Sequence, residues 1–353
     1  MNDATMTSLQ RVLTTLGHQE PDRVPLFLLL SITGAKFADT SIEDYFSDAS
    51  RVADTQLKMQ QHYGHDCLYP FYYASAEAEA FGGSTIFFAD GPPNSGIPAI
   101  RTVHQIDDLV VPDAVDVPAL SRVLETISQL KAEVEDRLPI IGVVMSPFSL
   151  PVMQMGFEGY LNLMYEKPKH FEKLMQVNQT FCVAWANAQL EAGATAICYF
   201  DPVSSTTVIP REHYLKTGYE IAKQTISRIQ GPTATHLASG NCAPILSDIA
   251  ETGTAVVGVS TMEDLAELKQ QATGKISLLG NLNGVEMANW SSEQAEQEVK
   301  RAIAQAGPGG GFVLSDNHGE IPWQVPDEVL MAIASAVKKW GNYPLNWVED
   351  DDE

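Results

Sequence analysis

The side chains best suited to moving protons or holding a metal fall just after short apolar runs. Asp201 follows AICYF, and His236 ends the run TATH. Ser239, Gly240, Asn241 and Cys242 come next, and Asn281 follows SLLG. Asp316, Asn317, His318, Gly319 and Glu320 follow GFVLS. Carboxylates and imidazoles exchange protons near neutral pH, and His with Cys can bind a metal. Each residue also has a plainer reading. His236 could be a core histidine, and Cys242 a small buried hydrophobe. Asp201, before Pro202, could cap a helix. Asp316-Asn317 could be a tight turn. Two histidines at the ends of different runs favour a joint site. His18, His62, His65, His104, His170 and His213 have no evident partners and read as surface or packing residues.

These positions need a frame of strands and helices to bring them together. Apolar runs occur at 23–30, 66–73, 138–145, 194–200, 233–237, 255–259, 276–279 and 311–315. Helix-period segments separate most of them, at 117–137, 171–192, 214–229, 245–251, 262–271 and 292–306, with a last one at 327–340. Strands alternating with helices predict a parallel α/β sheet, here a TIM (β/α)8 barrel. Residues at the C-terminal ends of its strands then share one mouth. The Gly- and Pro-rich stretch 81–101 reads as an inserted hairpin or lid. No compositional break divides the chain, so 1–353 reads as one domain, with a short N-terminal helical extension and an acidic tail at 349–353. An open doubly wound sheet is the weaker alternative, since no GxGxxG follows the first run.

Composition excludes several functions. Forty-five acidic residues against 22 basic ones give a formal charge of −23. Such a surface repels phosphate backbones and anionic lipids, which argues against nucleic-acid or membrane partners. Four scattered cysteines form no CxxC pair, so no zinc ribbon or redox motif is predicted. No run is long enough to span a membrane, and the N-terminus lacks signal-peptide character. A cytoplasmic location is the expectation.

Over roughly Pro21 to Val337 the chain resembles the uroporphyrinogen-decarboxylase superfamily. The matching segments are PDRVPLF, SIEDYFSD, AEAEAFGG, SPFSLPVMQMGFEGY, LEAGATAICYFDPVSST, HLASGNCAPIL, LLGNLNG and GGGFVLSDNHGEIPWQVPDEVL, in that order. True decarboxylases of the superfamily carry an Arg-rich loop after the first strand. Here that place reads LLLSITGAKFADT, with Lys36 as its one basic residue. The segments look closer to the corrinoid-dependent branch, the methylcobalamin:coenzyme M methyltransferase-like proteins. That resemblance implies methyl transfer between a small molecule (methoxyl, methylamine or thiol type) and cobalamin on a separate corrinoid-binding protein. No corrinoid-binding DxHxxG segment occurs in this chain, which places that partner in trans. It implies Asp201, His236 and His318 as catalytic residues and Asn281, Asn241 and Glu79 as substrate contacts. It also implies zinc, held in that branch by an HxC cysteine pattern and a later Cys. This sequence departs from the pattern: it reads HLASGN at 236–241, and His318 stands near the place of the last Cys. The implied ligands become His236 and His318, with Cys242 or Glu320 as the third. A homodimer is compatible with this reading. A decarboxylase or lyase using His/Asp acid–base chemistry is the alternative, and a binding protein that kept the fold is a third.

Overall fold

The structure, a computed structural model, describes residues 6–350; the expected acidic tail falls largely outside the described residues. Two short strands, β1 (Thr85–Ile86) and β2 (Asn94–Ser95), pair antiparallel and form the inserted hairpin. Six strands then form one parallel sheet in chain order. They are β3 (Ile141–Met145), β4 (Ala196–Phe200), β5 (Thr233–His236), β6 (Val256–Gly258), β7 (Ser277–Leu282) and β8 (Phe312–Asp316). Every residue of β7 and β8 is buried, as expected of strands covered on both faces.

The first two expected strands differ. Segments 23–30 and 66–73 form no ladder; each makes one isolated parallel bridge, Leu26 to Leu314 and Leu68 to Ile140. Pro25 and Pro70 lack the N–H groups that a ladder needs. Side chains take over the missing pairings. Gln56 donates to the Leu30 carbonyl and accepts from the Tyr69 N–H, at 2.7 and 2.9 Å. Asp66 accepts from Leu26 N–H at 2.9 Å, and Glu77 accepts from Met145 N–H at 2.8 Å. The TIM barrel is thus six laddered strands, with the remaining arc joined by single bridges, a backbone bond from Asp66 N–H to the Leu26 carbonyl at 2.7 Å, and side-chain hydrogen bonds.

One apolar cluster takes Phe27, Leu29, Cys67, Tyr69, Val143, Cys198, Val256, Leu279 and Val313 from successive segments around the ring. A cluster built that way lies inside the barrel. Two larger clusters fill the layer between the sheet and the helices. The helices start where the sequence supplies caps. Ser291 and Gln294 form a capping box before Ser292–Ala306, and Pro168 opens Pro168–Ala192. The N-terminal helix Ser8–Leu16, capped by Thr7 and Gln10, packs Val12 beneath the barrel. A cavity of about 80 Å³ lies there, lined by Leu9, Val12, Phe27, Ala196, Thr233 and Ala255 among others. It is almost wholly apolar and sits at the end opposite the predicted chemistry. No helix among the described residues is long and apolar enough to cross a membrane.

Candidate active site

Strand alternation decides which side chains reach the barrel mouth. Cys198 lies in the interior cluster, so Phe200 shares its face of β4, while Tyr199 and Asp201 face the other way. Phe200 pairs with His236 on β5, and their rings stack with centroids 5.4 Å apart. His236 is therefore an interior residue. Leu279 is interior on β7, which puts Asn281 on the same face, and Asn281 pairs with Ser315 of β8.

His236 is held tightly. The Ala238 N–H donates to its Nδ1 at 3.0 Å. A neutral imidazole carries one proton, so that bond assigns the proton to Nε2. Burial, helped by nearby His318, pushes the imidazole down to about 4, so the ring is neutral at physiological pH. Its Nε2 is buried without a partner. Gly258 and Gly319 make room for the ring: a Cβ on Gly258 would lie 2.7 Å from His236 Cδ2, and one on Gly319 would lie 2.7 Å from Phe200 Cε2.

Other unpartnered buried atoms occur nearby: Asn281 Oδ1, Ser315 Oγ, Asp316 Oδ1 and His318 Nδ1. An unmet buried polar atom costs about 1–3 kcal/mol, so such a group marks a place for ligand or water. Asn281 Nδ2 is anchored on the Ser260 carbonyl at 3.2 Å. Asp316 Oδ2 accepts from the N–H groups of His318 and Gly319 at 2.7 and 2.9 Å, shaping the loop after β8. Tyr69 hydroxyl donates to the Gly319 carbonyl at 2.8 Å and braces that loop from below. Burial raises the Asp316 carboxyl to about 6. Burial and neighbouring Asp316 raise Glu320 to about 7, although Ile32 N–H donates to it at 3.3 Å.

The remaining expected residues do not join this group. Asp201 faces the helix layer, where Ser146, Ser149 and Ser204 donate to it at 2.6, 2.7 and 2.6 Å. Burial raises its carboxyl, and its surroundings are the phenols of Tyr160, Tyr199 and Tyr214. It is a structural hub, because those three hydroxyls take up its carboxylate oxygens. Cys242 is fully buried in the outer core and is bonded with Glu263; its own burial, and then the Glu263 charge, drive the thiol well up. Asn241 is part of a loop tied to Thr206 and Thr207. Glu79 accepts from Thr85 and pins the hairpin. Glu77, not singled out in the sequence, is the buried carboxyl of that helix, raised to about 8 by burial.

The implied zinc set does not fit this arrangement. His236, Cys242 and His318 do not form a group of converging ligand atoms among the described residues. His236 Nδ1 accepts a backbone proton, so Nε2 has no free lone pair to offer a metal.

Comparisons with known proteins agree with the frame. The family model for uroporphyrinogen decarboxylase (URO-D) matches residues 7–340. The chain belongs to the URO-D family. A uroporphyrinogen decarboxylase from Magnetococcus marinus is 24% identical over 95% of this chain and 98% of its own. One from Chlorobium chlorochromatii is 29% identical over 69% and 71%. Among solved structures, a methyltransferase from Methanosarcina mazei matches with a TM-score of 0.84 at 20% identity, covering 95% of this chain and 99% of its own. At that identity the likeness speaks for the fold alone. Strand-end position points to His236, Asn281, Asp316, His318 and Glu320 alike, and burial is what raises the proton affinity of Asp316 and Glu320.

Proposed function

We propose that this URO-D-family protein transfers a methyl group between a small organic molecule and cobalamin carried by a separate protein docked at the barrel mouth. One observation carries the choice over uroporphyrinogen decarboxylation. The first-strand loop, where resemblance calls for arginines against substrate carboxylates, has Lys36 alone. Its ammonium donates to the Trp323 carbonyl and lies 4.5 Å over the Trp323 ring. A polyanionic tetrapyrrole finds no uncommitted cation in that loop, on a chain of charge −23. Exposed Met262 and Val285 follow β6 and β7, at the end where a carrier would dock.

His236 Nε2–H and Asn281 Oδ1 orient the substrate at the barrel mouth. Asp316 and Glu320, titrating near neutrality, hold or release the proton that a methyl-losing or methyl-gaining heteroatom requires. His318 borders the same space with its free Nδ1. Cobalamin, when its carrier is docked, supplies the methyl-bearing or methyl-accepting centre. No step is assigned to zinc, since the donor set does not fit it.

The second reading is decarboxylation of another carboxylic acid. It is favoured by the same two raised carboxyls, which can protonate a carbanion, and by the names of the relatives. The test is anaerobic incubation with free cob(I)alamin or methylcobalamin and a panel of methoxylated aromatics, methylamines and thiols. Corrinoid absorbance is followed, with uroporphyrinogen assayed in parallel. Corrinoid turnover that falls by about 10²-fold or more in His236→Ala supports the proposal. Decarboxylation of uroporphyrinogen without corrinoid turnover overturns it.

A further inference from the structure

A second set of chemically competent side chains lies outside the barrel mouth. His104, Asp107 and His170 bring one ligand atom each to within 4.8 Å of one another, the one such group of three among the described residues. His170 Nε2 is 3.5 Å from Asp107 Oδ2. The His104 and His170 rings stand edge to face, 6.2 Å apart at 83°.

The backbone on both sides is fixed. His104 and Asp107 sit on the 3-10 helix Val103–Asp108, where positions three apart eclipse on one face. Fully buried Ile106 anchors that helix in the outer core, and Thr102 with Gln105 forms its capping box. His170 lies in the first turn of Pro168–Ala192. Lys173, one turn on, donates to the Asp107 carbonyl and ties the two helices together. Bonds of about 2.0–2.2 Å to a tetrahedral ion put ligand atoms roughly 3.3–3.6 Å apart. The His170–Asp107 pair already has that spacing, and side-chain rotation brings His104 in.

We propose that His104, Asp107 and His170 bind one divalent transition-metal ion of the zinc or nickel class, leaving its other positions to water. Two imidazoles with one carboxylate suit such borderline ions, whereas magnesium and calcium prefer all-oxygen sites. The strongly negative chain draws cations towards the surface, although the nearby Lys173 ammonium opposes this. The ion clamps the segment that carries the β1–β2 hairpin to helix Pro168–Ala192. That segment reaches the mouth loops, since Gln324 Nε2 donates to the Asp90 carbonyl at 2.9 Å. The site is independent of the barrel chemistry.

The experiment is a calorimetric titration of chelator-treated full-length protein with zinc, repeated with cobalt and read by visible absorbance. His104→Gln, His170→Ala and the mouth variant His236→Ala are run in parallel, with circular dichroism to check folding. One ion is expected at low-micromolar affinity. Affinity should fall at least about tenfold in each surface variant and stay unchanged in His236→Ala; a tenfold loss is about 1.4 kcal/mol. Zinc should raise the melting midpoint of the native chain and not that of His170→Ala. No binding in the submillimolar range overturns the proposal. So does binding that survives His170→Ala and is lost in His236→Ala.

Discussion

At the scale of single residues, burial turns ordinary side chains into unusual ones. Asp316 holds its proton up to about 6, against 3.8 for the free group, because it has little water and only backbone donors on one oxygen. The folded state therefore binds this proton more tightly than the unfolded chain does. Stability attributable to Asp316 is present below 3.8 and is lost as pH rises through about 6. The loss is on the order of 3 kcal/mol at pH 7.5. Asp316→Asn should relieve it. Urea unfolding at pH 7.5 should show the variant as stable as the native chain or more so, with the advantage gone at pH 4. A difference that does not change with pH would contradict this account. His236 was legible as a strand-end residue, and its alternation phase confirms an inward ring. Asp201 has the same strand-end signature but the opposite phase. Sequence position alone does not separate the two, because a one-residue shift in where β4 ends exchanges the faces.

At the scale of elements, the site depends on close approach between backbones and rings. Gly258 on β6 lies against His236 on β5, with no room for a Cβ. Gly258→Ala should push the imidazole out of line with Asn281. Overpacking of this kind costs about 1–3 kcal/mol, while misplacement of a positioning group costs about tenfold or more in kcat/KM. Gly91→Ala, whose added carbon meets nothing within 4 Å, is the matched control. Turnover and the urea midpoint of both variants check this, and equal behaviour would exclude it. Six strands and the helices between them were readable from apolar runs and helical periodicity, whereas the helix Ala49–Tyr63 was not. Segments 23–30 and 66–73 were equally apolar yet do not ladder, since Pro25 and Pro70 remove donors and Gln56 and Asp66 substitute for backbone partners. Those substitutions come from sequence-distant residues or from bonds that reach across segments.

At the scale of the whole molecule, Asp66 gathers the part of the barrel that lacks ladders. Its carboxylate accepts from Arg11 and Arg23, at 2.7 Å each, from the Ser8 hydroxyl at 2.8 Å, and from Leu26 N–H. Arg11 is itself buried and shared with Asp22 at 2.6 Å. Removing one partner of such a network leaves buried charge unmatched, at about 3–5 kcal/mol. Asp66→Ala should lower stability by that amount in denaturant unfolding, with the helix Ser8–Leu16 released first, as seen by hydrogen exchange. A loss below about 1 kcal/mol would show that the network is dispensable.

The amino-acid sequence by itself determined the α/β alternation, the number and order of most strands, the caps that start helices, and the strand ends where polar residues collect. These are local properties, written in periods of two and 3.6 and in the types of adjacent residues. Tertiary structure alone decided which strand-end residues share the mouth, that Cys242 bonds with Glu263 away from His236, and that His104, Asp107 and His170 meet at the surface. Those outcomes depend on strand phase, on depth from water and on contacts between segments dozens of residues apart. No window of local sequence contains them.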